Sequence, residues 1–218
     1  MRKLVILLSL IILPAFAFSQ STFKNVSLTL GGGLSVPFSD NAMSKYFNTT
    51  TLYKFNDCWN NGFNLTAGFE YAFLPELTGH LKVSYSSFSI NKSMVLKQLH
   101  LPSGTYVQDA EFNTVAAYVG ARYRFPYEPI EKVYPYVTAS AGIMNLASDK
   151  IYVLIDANSN YVASFKNSNV ACGTAAVGVD IIGGENSAMF IQVGVDVANT
   201  DGGTLYYIPL TVGFRGTF

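Results

Sequence analysis

Alternation of apolar and polar residues predicts an all-β chain folded as an eight-stranded, antiparallel, up-and-down transmembrane β-barrel. Three observations carry that prediction. The last stretch, Leu205 to Phe218, sets Tyr206, Ile208, Leu210, Val212, Phe214 and Phe218 on one side and Tyr207, Thr211, Gly213, Arg215 and Thr217 on the other, and a period of two places those sets on opposite faces of a strand. Seven further stretches repeat the pattern, and no charged residue falls on any of their apolar faces. The connections then alternate between long and short, as the loops and turns of a bacterial membrane barrel do.

The first strand, Val26 to Val36, points Val26, Leu28, Leu30, Leu34 and Val36 outward. The second, Gly62 to Phe73, points Phe63, Leu65, Ala67, Phe69, Tyr71 and Phe73 outward. In the third, Thr78 to Ile90, Leu81, Val83 and Tyr85 oppose His80, Lys82 and Ser84, and a slip of the alternation at Ser86 and Ser87 predicts a β-bulge. The fourth, Asn113 to Phe125, turns Val115, Ala117, Val119, Ala121, Tyr123 and Phe125 out and Tyr118, Arg122 and Arg124 in. The fifth, Tyr134 to Met144, carries Val137, Ala139, Ala141 and Ile143 on its apolar side, and the sixth, Asn169 to Ile182, turns Ala171, Gly173, Ala175, Val177, Val179 and Ile181 outward, opposite Cys172, Thr174, Gly178 and Asp180. The seventh, Ala188 to Ala198, puts Met189, Ile191, Val193, Val195 and Val197 outside, opposite Phe190, Gln192 and Asp196.

Long connections follow the first, third and fifth strands, at Pro37 to Asn61, Asn91 to Phe112 and Asn145 to Ser168. Short ones follow the second, fourth and sixth, and Asn199 to Thr204 is short as well. With an even number of strands, both termini share the periplasmic side. About ten residues tilted by about 40° rise roughly 25 Å, the height of the apolar band in such barrels. Tyr71, Phe73, Tyr123, Phe125, Phe214 and Phe218 form one aromatic girdle at its periplasmic edge. In the third long loop, Lys150 to Ile155 and Tyr161 to Phe165 flank Asn158-Ser159-Asn160, so a hairpin continuing strands five and six is expected.

The beginning of the chain agrees with export. Arg2 and Lys3 precede the apolar run Leu4 to Leu13, and small residues follow at Ala15, Ala17 and Ser19. That is the pattern of a signal peptide over residues 1–19, leaving a barrel domain over 20–218; a membrane-spanning helix needs roughly 20 apolar residues. The chain has 14 basic and 14 acidic residues, and loss of Arg2 and Lys3 with the leader leaves it slightly acidic, which argues against nucleic acid as a partner.

The chain resembles the small outer-membrane barrels of the OmpA and OmpX type, and more closely the outer-membrane β-barrel domain proteins of Bacteroidetes-like bacteria. The residues that carry the resemblance are Ser19-Gln20 after the leader, Pro135-Tyr136-Val137 with Gly142 downstream, and the terminal LTVGFRGTF. The resemblance implies that Phe214 and Phe218 form the assembly signal read by the barrel-insertion machinery. Gly216 departs from that pattern, standing where an apolar side chain is usual.

The inward charged residues are the main candidate site. Glu70, His80, Lys82, Arg122, Arg124, Asp180 and Arg215 fall near the periplasmic ends of their strands, with Asp196 toward the other end. Charges in a narrow lumen must be paired, so a salt-bridge network is expected there, with Glu70 facing Lys82. An eight-stranded barrel has an interior that side chains just fill. The competing reading is a narrow channel for small solutes gated by the same charges.

A lipid-modifying enzyme is a third reading. His100, Ser103 and Asp109 share one external loop, and His80 faces inward, but no catalytic, metal or cofactor signature surrounds them. Cys58 and Cys172 are the only cysteines; a disulfide between the first loop and the barrel mouth and two separate thiols both fit the sequence. The first loop carries Tyr46, Phe47, Tyr53, Phe55 and Trp59, suited to contact with an extracellular protein or glycan, or to packing onto the barrel mouth. Its charges cancel, Asp40 and Asp57 against Lys45 and Lys54. The sequence as a whole reads as a monomeric outer-membrane barrel held in outer-membrane lipid, with a filled lumen and a structural or surface-interaction role, without enzyme activity or cofactor. A soluble lipocalin-like barrel is disfavoured by the uncharged outer face.

Overall fold

A computed structural model describes residues 25–38, 55–126, 130–156, 159–163, 167–200 and 203–218. The leader expected over 1–19, the barrel start at Gln20, and Tyr46, Phe47, Tyr53, Asp40, Lys45, Lys54 and Asn158 lie outside the described residues, and so does the side chain of Asp57.

Eight long strands close into an antiparallel barrel. They are β1 (Val26–Pro37), β2 (Gly62–Ala72), β3 (Leu77–Ser89), β5 (Glu111–Arg124), β6 (Val133–Ser148), β9 (Ser168–Gly184), β10 (Ser187–Thr200) and β11 (Gly203–Thr217). Around the wall the order is β1-β11-β10-β9-β6-β5-β3-β2, and β2 pairs back onto β1. Each barrel strand neighbours the next in sequence, and the seam joins the first to the last through Ser27↔Thr217 to Pro37↔Tyr207. All eight strands lie where the alternation predicts them, and β6 runs past the predicted end to Ser148.

The outer wall is apolar in the way the period of two requires. Leu30, Val119, Ile143 and Phe214 are each more than 60% exposed, and Leu81, Val177 and Leu210 stand out beside them. The girdle forms at the end that carries the short turns. Tyr71 stacks edge-on against Phe73 at 5.1 Å and Tyr123 against Phe125 at 5.4 Å, and Phe214 and Phe218 are exposed at the same end.

The bulge expected at Ser86 and Ser87 is absent: β3 pairs in constant register with β2 from Phe63↔Ser87 to Ala72↔Thr78 and with β5 from Leu77↔Tyr123 to Ser89↔Glu111. The apolar signal changes sides instead. Phe88 points inward and is completely buried, because at the loop end the barrel interior becomes a hydrophobic core. A register shift falls between Ser187 and Ala188, at the start of β10 where it pairs with β9.

That core is roofed by the long loops. The first loop ends in a single helical turn, α1 (Phe55–Cys58), followed by Trp59, which bridges to Ile90. The second contains α2 (Lys92–Gln98), capped by the Asn91 side chain accepting from the Met94 amide at 3.2 Å, then the short strand β4 (Tyr106–Val107). The third forms the expected hairpin, β7 (Ile151–Asp156) and β8 (Ser159–Ala163). It does not continue the barrel strands: β7 pairs with β4, making a separate sheet of order β4-β7-β8. Alternation along β7 explains this, since Ile151 and Val153 are buried with Val107 in the core over the barrel mouth.

Val119 lies at the middle of the outer face of β5. Val119→Arg is expected to cost about 2–4 kcal/mol, read as a lowered urea midpoint of the barrel refolded in lipid vesicles; no loss would contradict a lipid-facing wall.

Candidate functional site

The lumen is occupied in layers, which follow from what each strand turns inward. At the turn end, Glu70 on β2, Arg122 on β5, Asp180 on β9 and Arg215 on β11 converge in a closed ionic quartet. Arg215 donates from Nε to Glu70 Oε2 at 3.0 Å, from Nη2 to Oε1 at 3.3 Å, and from Nη1 to Asp180 Oδ1. Arg122 completes the ring, with Nη1 to Asp180 Oδ2 at 3.0 Å and Nη2 to Glu70 Oε2 at 3.2 Å. All four residues are buried. Two carboxylates alternate with two guanidiniums, so the charges cancel and every carboxylate oxygen is engaged, the arrangement a buried ionic cluster requires.

The pairing expected between Glu70 and Lys82 does not form. Register places His80 directly opposite Glu70, and Lys82 opposite Gly68, one step further along the lumen. Two guanidiniums from across the barrel take the carboxylate instead. Arg124 also stands apart from the quartet: it donates to the Pro75 carbonyl at 2.9 Å and its guanidinium lies over the Tyr134 ring. His80 Nε2 is 2.7 Å from Ser140 Oγ, inside the lumen.

Two aromatic rings lid the quartet. The guanidinium carbon of Arg122 sits 5.3 Å from the Tyr136 ring centre, and that of Arg215 sits 5.6 Å from the Phe190 ring centre. Inward glycines admit them. A Cβ on Gly178 would lie 2.6 Å from the Tyr136 hydroxyl, and one on Gly213 would lie 2.4 Å from the Phe190 ring. Phe190 was legible as an inward residue, and Tyr136 was not singled out as one; the signal for their role is an inward aromatic placed beside a glycine, Tyr136↔Gly178 and Phe190↔Gly213 in the register.

Above the quartet is a polar chamber of about 60 Å³. Among its hydrogen bonds, Thr211 donates to Asn64 Oδ1 at 3.0 Å, and Asn64 donates to the Leu34 carbonyl at 2.8 Å. Lys82 and Asp196 also line it. Below the quartet an open vestibule of about 470 Å³ faces the turns, and Arg122 and Arg215 border both spaces.

The loop end is shut by a hydrophobic plug. Phe55 and Trp59 insert among inward barrel residues: Phe55 meets Phe88 at 5.4 Å and Phe112 at 5.1 Å, and Trp59 meets Phe112 at 5.6 Å. Phe88 in turn meets Tyr207 at 5.4 Å. The Asn91 amide donates to the Cys58 carbonyl at 2.7 Å, which ties the first loop to the second. The plug contributes packing that the composition of the first loop left open between two uses. Cys58 and Cys172 are buried near it, and no disulfide joins them. On the surface, Asp109 pairs with Lys92 at 2.8 Å, while His100 and Ser103 are exposed.

No family model matches the chain, and no curated protein matches it in sequence. Solved structures match its fold. Neisserial surface protein A aligns over 88% of this chain and 97% of its own, with 16% identity and a TM-score of 0.52. The Yersinia pestis attachment invasion locus protein Ail, solved with the heparin analogue sucrose octasulfate, covers the same shares at 14% identity and a TM-score of 0.46. The Escherichia coli outer membrane protease OmpT aligns over 92% of this chain and 99% of its own, with 10% identity and a TM-score of 0.49. At these identities the likeness is one of fold: the chain has the architecture of the small outer-membrane barrels.

Glu70→Ala leaves Arg122 and Arg215 sharing one carboxylate in the lumen. Stability is expected to fall by roughly 3–5 kcal/mol, measured by urea unfolding of the refolded barrel; a loss below about 1 kcal/mol would mean that water screens the quartet.

Proposed function

We propose that this chain is an integral outer-membrane barrel whose lumen does not conduct and whose loop face serves a structural or surface-interaction role. The observation that carries the reading is the double closure of the lumen, by an ionic quartet at the turn end and an aromatic plug at the loop end. A narrow channel would have to open both. The apolar outer wall supports residence in lipid, and the alternation of short turns with long loops supports termini in the periplasm and loops outside.

The reading is of a protein without enzyme activity. Asp109 pairs with Lys92 on the exposed loop surface, and the His80–Ser140 pair faces the lumen rather than the lipid surface where an acyl chain would be met. Phe214 and Phe218 fit an assembly signal: both are exposed on the outer face, and the Phe218 amide still bonds to the Val26 carbonyl at 2.8 Å, so the last residue belongs to the closed wall. The chain works as a monomer in this reading, with outer-membrane lipid around it and an extracellular protein or glycan as the partner of its loops.

Single-channel recordings of the refolded barrel in planar bilayers, wild type beside Arg122→Ala and Trp59→Ala, are expected to show no steady conductance in the wild type. Steady wild-type current altered by either substitution would replace this reading with that of a narrow channel. Removal of Phe218 is expected to lower the amount of barrel assembled in cells severalfold while refolding in detergent proceeds. Equal assembly in cells would remove the terminal aromatic from the signal.

A further inference from the structure

The belt that ends the apolar wall at the loop side has two unlike halves. It lies about ten residues along the strands from the aromatic girdle, a rise of roughly 25 Å. On β11, at the end of β1, and on β2 and β3 its outward residues are aromatic: Phe38 meets Tyr206 at 6.2 Å and Phe63 meets Tyr85 at 5.7 Å. On β5, β6, β9 and β10, which are neighbours around the wall, they are Asn113, Asn145, Asn169 and Asn199. Asn145, Asn169 and Asn199 are exposed and Asn113 is half-buried, each in phase with the outward residues Val115, Ile143, Ala171 and Val197 next to them.

Hydrogen bonds organise the carboxamide arc. Asn145 and Asn169 stand opposite each other on β6 and β9, and Asn145 Nδ2 donates to Asn169 Oδ1 at 2.8 Å. Tyr85 Oη donates to Asn113 Oδ1 at 2.7 Å, where the aromatic half meets the carboxamide half. The exposed Thr204 on β11 stands opposite Asn199. A carboxamide offers two hydrogens and two lone pairs, so the Asn145–Asn169 bond leaves the Asn169 amide hydrogens and the Asn145 carbonyl for another partner. Chemistry restricts that partner. The arc continues the lipid-facing wall, so what it meets is the head of a lipid packed against that wall. Phosphate is matched by arginine or lysine, whereas the arc carries no charge, and Asp149 and Lys150 after β6 bring one exposed charge of each sign. A sugar hydroxyl donates and accepts at once, as a carboxamide does.

We propose that the arc of Asn113, Asn145, Asn169 and Asn199 binds the neutral sugar headgroup of an outer-leaflet glycolipid, and that the aromatic half of the belt does not. The proposal rests on the reading of the chain as an outer-membrane barrel with its loops outside, and it names the lipid chemistry that one side of the wall selects. The glycolipid sits along β5, β6, β9 and β10, with its acyl chains on the apolar wall and its sugar hydroxyls on the carboxamides.

The test uses the full barrel refolded into phosphatidylcholine vesicles that carry, as a minor component, either digalactosyl diacylglycerol or phosphatidylglycerol. Mass spectrometry of the barrel extracted with its bound lipid is expected to find the galactolipid retained severalfold over phosphatidylglycerol. The side-chain amide signals of Asn145 and Asn169 are expected to shift with the galactolipid only. Asn145→Leu combined with Asn169→Leu is expected to abolish the preference, and Phe38→Leu combined with Phe63→Leu to keep it. Equal retention of the two lipids, unmoved amide signals in the wild type, or equal loss in the aromatic variant would overturn the proposal while residence in the membrane stands. Preference for phosphatidylglycerol would overturn it in favour of a phosphate contact, and wild-type dimers that exclude the galactolipid would overturn it in favour of a second copy of the chain. A barrel that floats with neither kind of vesicle would overturn the outer-membrane reading itself, and the proposal with it.

Discussion

Closure of the wall is the constraint from which the rest of the molecule follows. Backbone amides and carbonyls facing lipid have no water to bond, so a sheet can cross only when its first and last strands pair. Here β1 and β11 pair along nearly their whole length, and the strand that ends the chain closes the barrel. Once eight strands close, the outer face must be apolar and the polar half of every alternation is driven into a space that side chains just fill. The terminal residues are part of this closure, because Ser27 and Thr217 share a hydrogen bond at the seam beside the Phe218 amide.

Enclosure then decides what the inward charges do. Arg122 and Arg215 sit on strands well apart around the wall, and neither has a carboxylate on an adjoining strand directly opposite it; each reaches across the lumen to both Glu70 and Asp180. Such a ring holds the wall from inside, with Tyr136 and Phe190 covering its open side over glycines that allow the rings to lie flat. The loop end solves the same filling problem with aromatic carbon instead of charge. There the plug residues Phe55 and Trp59 come from a loop and not from the wall, so the two seals rest on different chemistry and on different parts of the chain.

Where the sequence misleads, the cause is a change of surroundings along a strand. Alternation reports which side is apolar, and it breaks down wherever that side changes. At Ser86 to Phe88 the inside has entered the core and the outward Ser87 is covered, so an unbroken strand imitates a bulge. The hairpin of β7 and β8 was legible from its turn residues, but its pairing with β4 depends on a two-residue segment with no periodic signal of its own. The quartet was legible as a set of inward charges. Its partners were not, because register and barrel curvature decide which side chains meet across the lumen.

By itself the sequence determined the eight strands, their outward faces, the order of long and short connections, and the charged residues that must face inward. All of these are local consequences of a period of two in an apolar solvent. Only the tertiary structure decided that Glu70 and Asp180 share both arginines, that Lys82 lies over the Tyr118 ring, that Arg124 stays at the rim, and that Phe55 and Trp59 shut the mouth. Those choices depend on distances across the barrel between residues up to 145 positions apart in the chain, which a closed sheet fixes and a linear pattern does not encode.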